Sequence, residues 1–212
     1  MKEQTRKILS ITVTDNPKLS FVEGDILAAF ETMKSAYDCG GKLFVCGNGG
    51  SCSDSEHIVG ELMKSFKKCR PIDEAVKTAL LEMGEDGDRL ANSLEGGLPA
   101  ICLSSHPSLS TAFINDKDPY MCYAQQLSVL GKKGDVLVVL STSGNAKNCL
   151  YAVITAKAMG IKTVLLAGKT GGSIKALADV SVVVPENETY RVQELHLPIY
   201  HCLCAMLEEE FF

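Results

Sequence analysis

The chain has 212 residues, of which 46% are hydrophobic and 22% charged, with a formal net charge of −5. That length suits one domain over 1–212 with a sizeable core, and the composition is that of an ordinary globular protein. The acidic balance argues against nucleic acid as a partner, because neutralising phosphates needs clustered Lys and Arg. A small anion held by backbone dipoles stays compatible with it. No run approaches membrane-spanning length, and residues 1–20, MKEQTRKILSITVTDNPKLS, carry no apolar signal core. Nine scattered cysteines, with no CxxC pair, point to reduced thiols in a cytoplasmic protein rather than a disulfide framework.

In chain order, the first pattern is helical. Residues 21–38 carry apolar side chains at Phe21, Ile26, Leu27, Phe30 and Met33. KLFVC (42–46) is the first of five β-rich runs and feeds GNGGS (47–51). Ser53 and Glu56 have capping-box spacing, which predicts a helix starting at Ser53. His57 and Glu61 then share a face one turn apart, within the first two turns. Gly60 costs such a helix roughly 1 kcal/mol relative to alanine, and a glycine there marks a close approach by something else. Pro71 and Asp73 suit a helix start and Gly84 its stop, so about 72–98 reads as an extra helical insertion. The remaining strands are PAICL (99–103), DVLVVL (135–140), KTVLLA (162–167) and VSVVV (180–184). An Ala-rich helical stretch covers 146–159 and ends at Gly160. The C-terminal run has an apolar stripe at Val192, Leu195, Ile199, Cys202 and Met206, with Gln193, His196 and His201 off its centre.

Strands that are continuously apolar are buried on both faces of a parallel sheet. Alternation with helices makes βαβ units. The expected fold is therefore α/β, a three-layer α/β/α sandwich on a five-stranded parallel sheet, with an N-terminal helix. Ligands of such folds bind at the carboxyl ends of the strands. There the sequence has GNGGS, SSHPSLS (104–110), STSGN (141–145) and GKTGGS (168–173). STSGN offers hydroxyls and the unpaired N–H groups of a following helix, which suit a phosphate; Ser143 or Asn145 as a plain helix cap accounts for it equally. GKTGGS is not a P-loop, because the glycine that pattern needs falls at Thr163, inside a strand. His57 and Glu61 suit a zinc site, a general base, or a surface pair.

Together, CGNGGSCSDSEHIVGEL, the Asn115–Asp116 pair, GDVLVVLSTSGN, LLAGKTGG and RVQELHLPIYH resemble the SIS (sugar isomerase) domain family, and within it the phosphoheptose isomerases. The resemblance covers almost the whole chain. It implies conversion of sedoheptulose 7-phosphate to glycero-manno-heptose 7-phosphate through an enediol. It implies Glu61 as base and His201 as acid, and zinc held by His57, Glu61, Gln193 and His201. It implies substrate contacts at Asn48, Gly49, Gly50, Glu61, Asn115, Asp116, Ser141, Thr142, Ser143 and Gln193. It also implies a homotetramer with sites between subunits. The alternatives are a non-catalytic SIS phosphosugar-binding or replication-initiator-binding adaptor, or an isomerase of a different ketose phosphate. Two features depart from the family pattern. The 72–98 insertion is longer than expected, and Pro198 lies between Gln193 and His201. Eight helical residues span ~12 Å, so the helix bends, or Gln193 reaches in at full length, or the two residues serve different sites.

Overall fold

The structure is a computed structural model that describes residues 1–212. Five strands, β1 (Leu43–Gly47), β2 (Ala100–Cys102), β3 (Val136–Leu140), β4 (Lys162–Ala167) and β5 (Val180–Val183), form one sheet in the order β2-β1-β3-β4-β5. All four pairings are parallel, with Leu43 beside both Ala100 and Val136. The helices are α1 (Glu3–Asp15), α2 (Glu23–Asp38), α3 (Gly50–Met63), α4 (Glu74–Leu81), α5 (Glu85–Ser93), α6 (Pro107–Asp116), α7 (Cys122–Leu130), α8 (Lys147–Ala158), α9 (Gly172–Lys175) and α10 (Thr189–Phe211). The five strands lie where the apolar runs place them. All nine cysteines are free thiols, and no helix is long and apolar enough to cross a membrane.

Strand alternation divides the core into two. Leu43, Val45, Val136, Val138, Leu140, Val164 and Leu166 face one side, where α1, α2, α3 and α10 pack. Phe44, Cys46, Leu137, Val139 and Leu165 face the other, against Tyr123 and Leu127 of α7 and Cys149, Ala152, Val153 and Ala156 of α8. Because both faces are covered, the strands show no polar alternation.

Away from the carboxyl edge of the sheet, two segments refine the sequence expectation. The helix expected over 21–38 begins at Glu23, because Pro17–Val22 is a 3₁₀ segment. Phe21 is consequently 81% exposed and no part of the core stripe. The 72–98 insertion is helical as expected and forms two helices. Asp73 caps α4 by accepting from the Ala75 and Val76 N–H groups at 2.9 and 3.2 Å, but α4 stops at Leu81, and Gly84 starts α5. The insertion closes where it began. Gly96 N–H donates to the Arg70 carbonyl at 2.7 Å, and Pro71 bridges Glu95.

Gly144 and Gly60 contrast. Gly144 has φ +65°, and an added Cβ would lie 1.8 Å from the Gly171 carbonyl oxygen. The loops after β3 and β4 thus pack backbone on backbone, which only glycine permits. Gly60, expected to mark a close approach, has nothing within 4 Å of where a Cβ would stand. Gly144→Ala is therefore expected to lower stability by about 2 kcal/mol, and Gly60→Ala to raise it by roughly 0.5–1 kcal/mol. Urea midpoints of the two variants check both signs, and an unaltered Gly144→Ala midpoint contradicts the packing.

Candidate active site

The strand order puts β1 next to β3, so the loops that follow them flank one crevice at the carboxyl edge of the sheet. The first loop holds Asn48, Gly49 and Gly50, all exposed, and the second holds Ser141, Thr142 and Ser143. A reciprocal amide pair ties the two sides: Asn48 Nδ2 donates to Asn148 Oδ1 at 2.9 Å and Asn148 Nδ2 to Asn48 Oδ1 at 2.8 Å. Tyr123 O–H donates to the Gly47 carbonyl at 2.6 Å, fixing the end of β1. Neither Ser143 nor Asn145 caps α8, whose N-cap residue is Ala146 without a side-chain bond. Asn145 Oδ1 instead accepts from Ser173 N–H at 3.0 Å, linking STSGN to the next loop. Ser141–Ser143 therefore keep hydroxyls beside an uncapped helix start.

Helix α3 starts at Gly50, not at Ser53, and the expected capping box is absent. Gly49 takes φ +56°, which reverses the chain at once after the strand. The Asn48 and Gly49 carbonyls accept the Ser51 and Cys52 N–H groups at 3.1 and 3.0 Å, the work a side-chain cap would do. The earlier start moves His57 and Glu61 along the helix. They lie beyond the first turns, not in them, with Glu61 ~16 Å along the axis from Gly50 at 1.5 Å per residue.

Helix α10 runs unbroken through Pro198 and lies parallel to α3. Gln193 stands against the start of α3: its Nε2 lies 3.4 Å from Ser51 Oγ, and 2.7 Å from where a Gly50 Cβ would be. One heptad on, Tyr200 O–H meets His57 Nδ1 at 3.0 Å and Asp54 Oδ1 at 3.3 Å. The His201 ring centroid lies 5.0 Å from that of His57. The ligand atoms of His57, Glu61 and His201 all fall within 4.8 Å of one another. His57 Nε2 is 3.0 Å from Glu61 Oε1. Glu61 Oε2 and His201 Nε2 are buried and have no hydrogen-bond partner. Two unsatisfied polar atoms at such a junction cost free energy unless something bonds both. Imidazole nitrogen and carboxylate oxygen are the donor set of a zinc site, so these three residues fit one.

Burial, with His57 adding to it, holds the His201 imidazole below its ordinary value, against the pull of Glu61 and Asp54. Burial raises Asp54, while Tyr200 O–H, His57 and His201 oppose. Asp54 and Tyr200 are absent from the sequence expectation. Asp54 is three residues before His57 and seven before Glu61, on their face, so spacing alone is enough to find it. Among the other expected site residues, Gln193 sits about two helical turns from the cluster. Asn115 and Asp116, at the exposed end of α6, bond to each other at 2.9 Å and to neither crevice loop.

Comparison with known proteins places this geometry. The SIS domain family model matches residues 89–168. A phosphoheptose isomerase of Nitratiruptor sp. is 41% identical over 170 residues, 80% of this chain and 78% of that protein. The phosphoheptose isomerase of Akkermansia muciniphila is 33% identical over 201 residues, 94% of this chain and 93% of its own. The solved phosphoheptose isomerase of Neisseria gonorrhoeae superposes with a TM-score of 0.74 at 27% identity, covering 98% of both chains.

His196 lies on α10 between Gln193 and His201 in the chain but is 0% exposed. Burial pushes its pKa down to about 4, with weak opposition from the Ala167 carbonyl. The unfolded chain takes up this proton near its ordinary 6.5, the folded chain only near 4. The stability from burying it neutral is thus present above about pH 6.5 and falls as pH drops towards 4. The full loss is about 3 kcal/mol. His196→Phe is expected to flatten the decline between those pH values, as read from urea unfolding at each. A decline as steep as wild type would contradict the assignment.

Proposed function

The chain belongs to the phosphoheptose isomerase family and is a phosphosugar isomerase; from that premise we propose that it interconverts sedoheptulose 7-phosphate and glycero-manno-heptose 7-phosphate. The observation that carries this reading is the junction of His57, Glu61 and His201 with its two unpartnered atoms.

Isomerisation moves one carbon-bound proton from C1 to C2 and one hydroxyl proton from O1 to O2. Glu61 takes the C1 proton with Oε2, which has no hydrogen-bond partner and only Lys64 Nζ at 3.9 Å, and returns it to C2. Tyr200 orients His57 at Nδ1 and so turns its Nε2 towards Glu61 Oε1, the side from which a metal would take both. His201 gives a proton to O2 and recovers one from O1. Zinc, held by His57, Glu61 and His201, would polarise the sugar oxygens as negative charge develops on them. Ser141, Thr142 and Ser143, beside the uncapped start of α8, receive the phosphate. Asn48, Gly49, Gly50 and Gln193 line the crevice for the sugar hydroxyls. Gln193 is read here as a substrate contact, since it packs on Gly50 and Ser51.

The two parts of the site lie at opposite ends of α3, and the His57 side chain is 45% exposed. Glu61 lies ~16 Å along that helix from Gly50, which favours a site shared between protomers. A homotetramer that sets the Glu61 face of one subunit against the phosphate loop of another completes the site.

Incubating the protein with sedoheptulose 7-phosphate in D₂O is expected to give aldoheptose phosphate with deuterium at the exchanging carbon, read by NMR. Glu61→Gln is expected to lower kcat by about 10²–10⁴-fold with unchanged circular dichroism. Turnover that survives in Glu61→Gln would refute the assignment of the base; the share of deuterium in the product reads how far the proton on Glu61 exchanges with solvent before it returns to C2.

A further inference from the structure

The cluster is built from two helices, His57 and Glu61 from α3 and His201 from α10. Its geometry therefore depends on how far one helix slides along the other. One residue of slip is ~1.5 Å, whereas metal–ligand distances tolerate about 0.2 Å. Near the crevice Gln193 on Ser51, and at the cluster itself Tyr200 on His57, mark the register. Beyond the cluster the mark is different in kind.

Arg70 is 1% exposed and follows α3 in the chain. Its Nη1 donates to the Leu62 carbonyl at 2.7 Å and its Nη2 to the Glu61 carbonyl at 2.9 Å. These belong to the last turn of α3, where carbonyls lack helical partners and a cation meets the negative end of the dipole. Its Nε donates to Glu208 Oε1 at 2.7 Å. Glu208, also 1% exposed, sits on α10 seven residues after His201, on the same face. The Glu208 carboxylate also accepts from the Phe66, Lys67 and Lys68 N–H groups at 3.0, 2.8 and 3.1 Å. One planar fork thus clasps the end of α3, including the backbone of Glu61 itself, and ties it to α10 two turns past His201.

We propose that Arg70, held by Glu208, is a positioning residue that sets the register of α3 against α10 and keeps His57, Glu61 and His201 at ligating distance. This rests on reading the cluster as the metal and proton-transfer site. Lysine cannot replace it. A point charge on a flexible stem can satisfy Glu208 but cannot also span two carbonyls.

The test is Arg70→Lys, taken with wild type through circular dichroism, a Co²⁺ titration of the metal-free protein, and isomerase kinetics. Co²⁺ affinity is expected to fall about 10–100-fold, as for lost supports of metal ligands. kcat should fall at least about tenfold while KM stays within about threefold. A folded Arg70→Lys protein with wild-type Co²⁺ affinity overturns the proposal. If that variant does not fold, Arg70→Met with Glu208→Gln, which leaves no buried charge, is measured instead; unchanged Co²⁺ affinity there overturns the proposal equally. Wild-type protein that binds Co²⁺ but isomerises no ketose phosphate refutes the function above, while the affinity comparison still decides Arg70. Wild-type protein that binds no Co²⁺ overturns the proposal as well.

Discussion

Helices α3 and α10 lie parallel, and the site exists only while they keep one axial register. Apolar packing holds them together: Ile58 and Leu62 share a core with Val192, Ile199 and Leu203. Such attraction is non-directional and scales with area, so it resists separation more than sliding. Polar contacts resist sliding, because a hydrogen bond weakens steeply with misalignment. Three sets act along the pair, at Ser51–Gln193, at His57–Tyr200–Asp54 and at Arg70–Glu208. The third is the costliest to break, since a buried charge stripped of its partner destabilises by about 3–5 kcal/mol. Burial opposes the ionised form of Glu208, but the bonds from three backbone N–H groups and Arg70 outweigh it and hold the carboxyl below its ordinary range.

The sheet imposes a second constraint, independent of the helices. Parallel register sets the ends of β1 and β3 side by side, which is why Asn48 and Asn148, a hundred residues apart, can pair across the crevice. On the other flank, Gly144 and Gly172 let two loops approach backbone to backbone: a Cβ on Gly172 would meet the Gly144 carbonyl oxygen at 2.4 Å. The serine loop is therefore flanked on one side by the Asn48–Asn148 pair and on the other by the glycine contact. Preorganised donors of this kind need no rearrangement when charge arrives.

Periodicity exposes the strands because burial on both faces leaves a short, continuous apolar run, unlike the alternation of a half-buried strand or the stripe of a surface helix. It also exposes the His57–Glu61 face. It misplaces the start of α3, because Ser53–Glu56 satisfies a capping rule that the left-handed Gly49 makes unnecessary. That shift of three residues brings the His–Glu pair too near the crevice, and with it the expectation of one compact site. The ~12 Å between Gln193 and His201 raises the question of whether they share one ion; in the fold His201 lies with His57 and Glu61, while Gln193 packs on Gly50 and Ser51. Arg70 and Glu208, 138 residues apart, are invisible to local pattern. An arginine beside a proline looks like a solvated loop residue until a carboxylate and two helix-end carbonyls surround it.

The 72–98 insertion shows why such a site tolerates added chain. Its two ends meet at the Pro71–Glu95 bridge, and Glu95 Oε2 accepts from Ser65 N–H at 2.9 Å. Leu98 N–H then donates to the Leu62 carbonyl at 2.8 Å, returning the chain to the end of α3. With the stem closed, the entropy of ordering the loop grows only slowly with its length. The hairpin itself puts little into the core: α4 buries no residue, and α5 buries only Gly87 and Ala91. Arg70 sits at the base of this stem and faces away from it, towards α3 and α10. Within the protomer the hairpin is therefore joined to the rest of the fold through its stem.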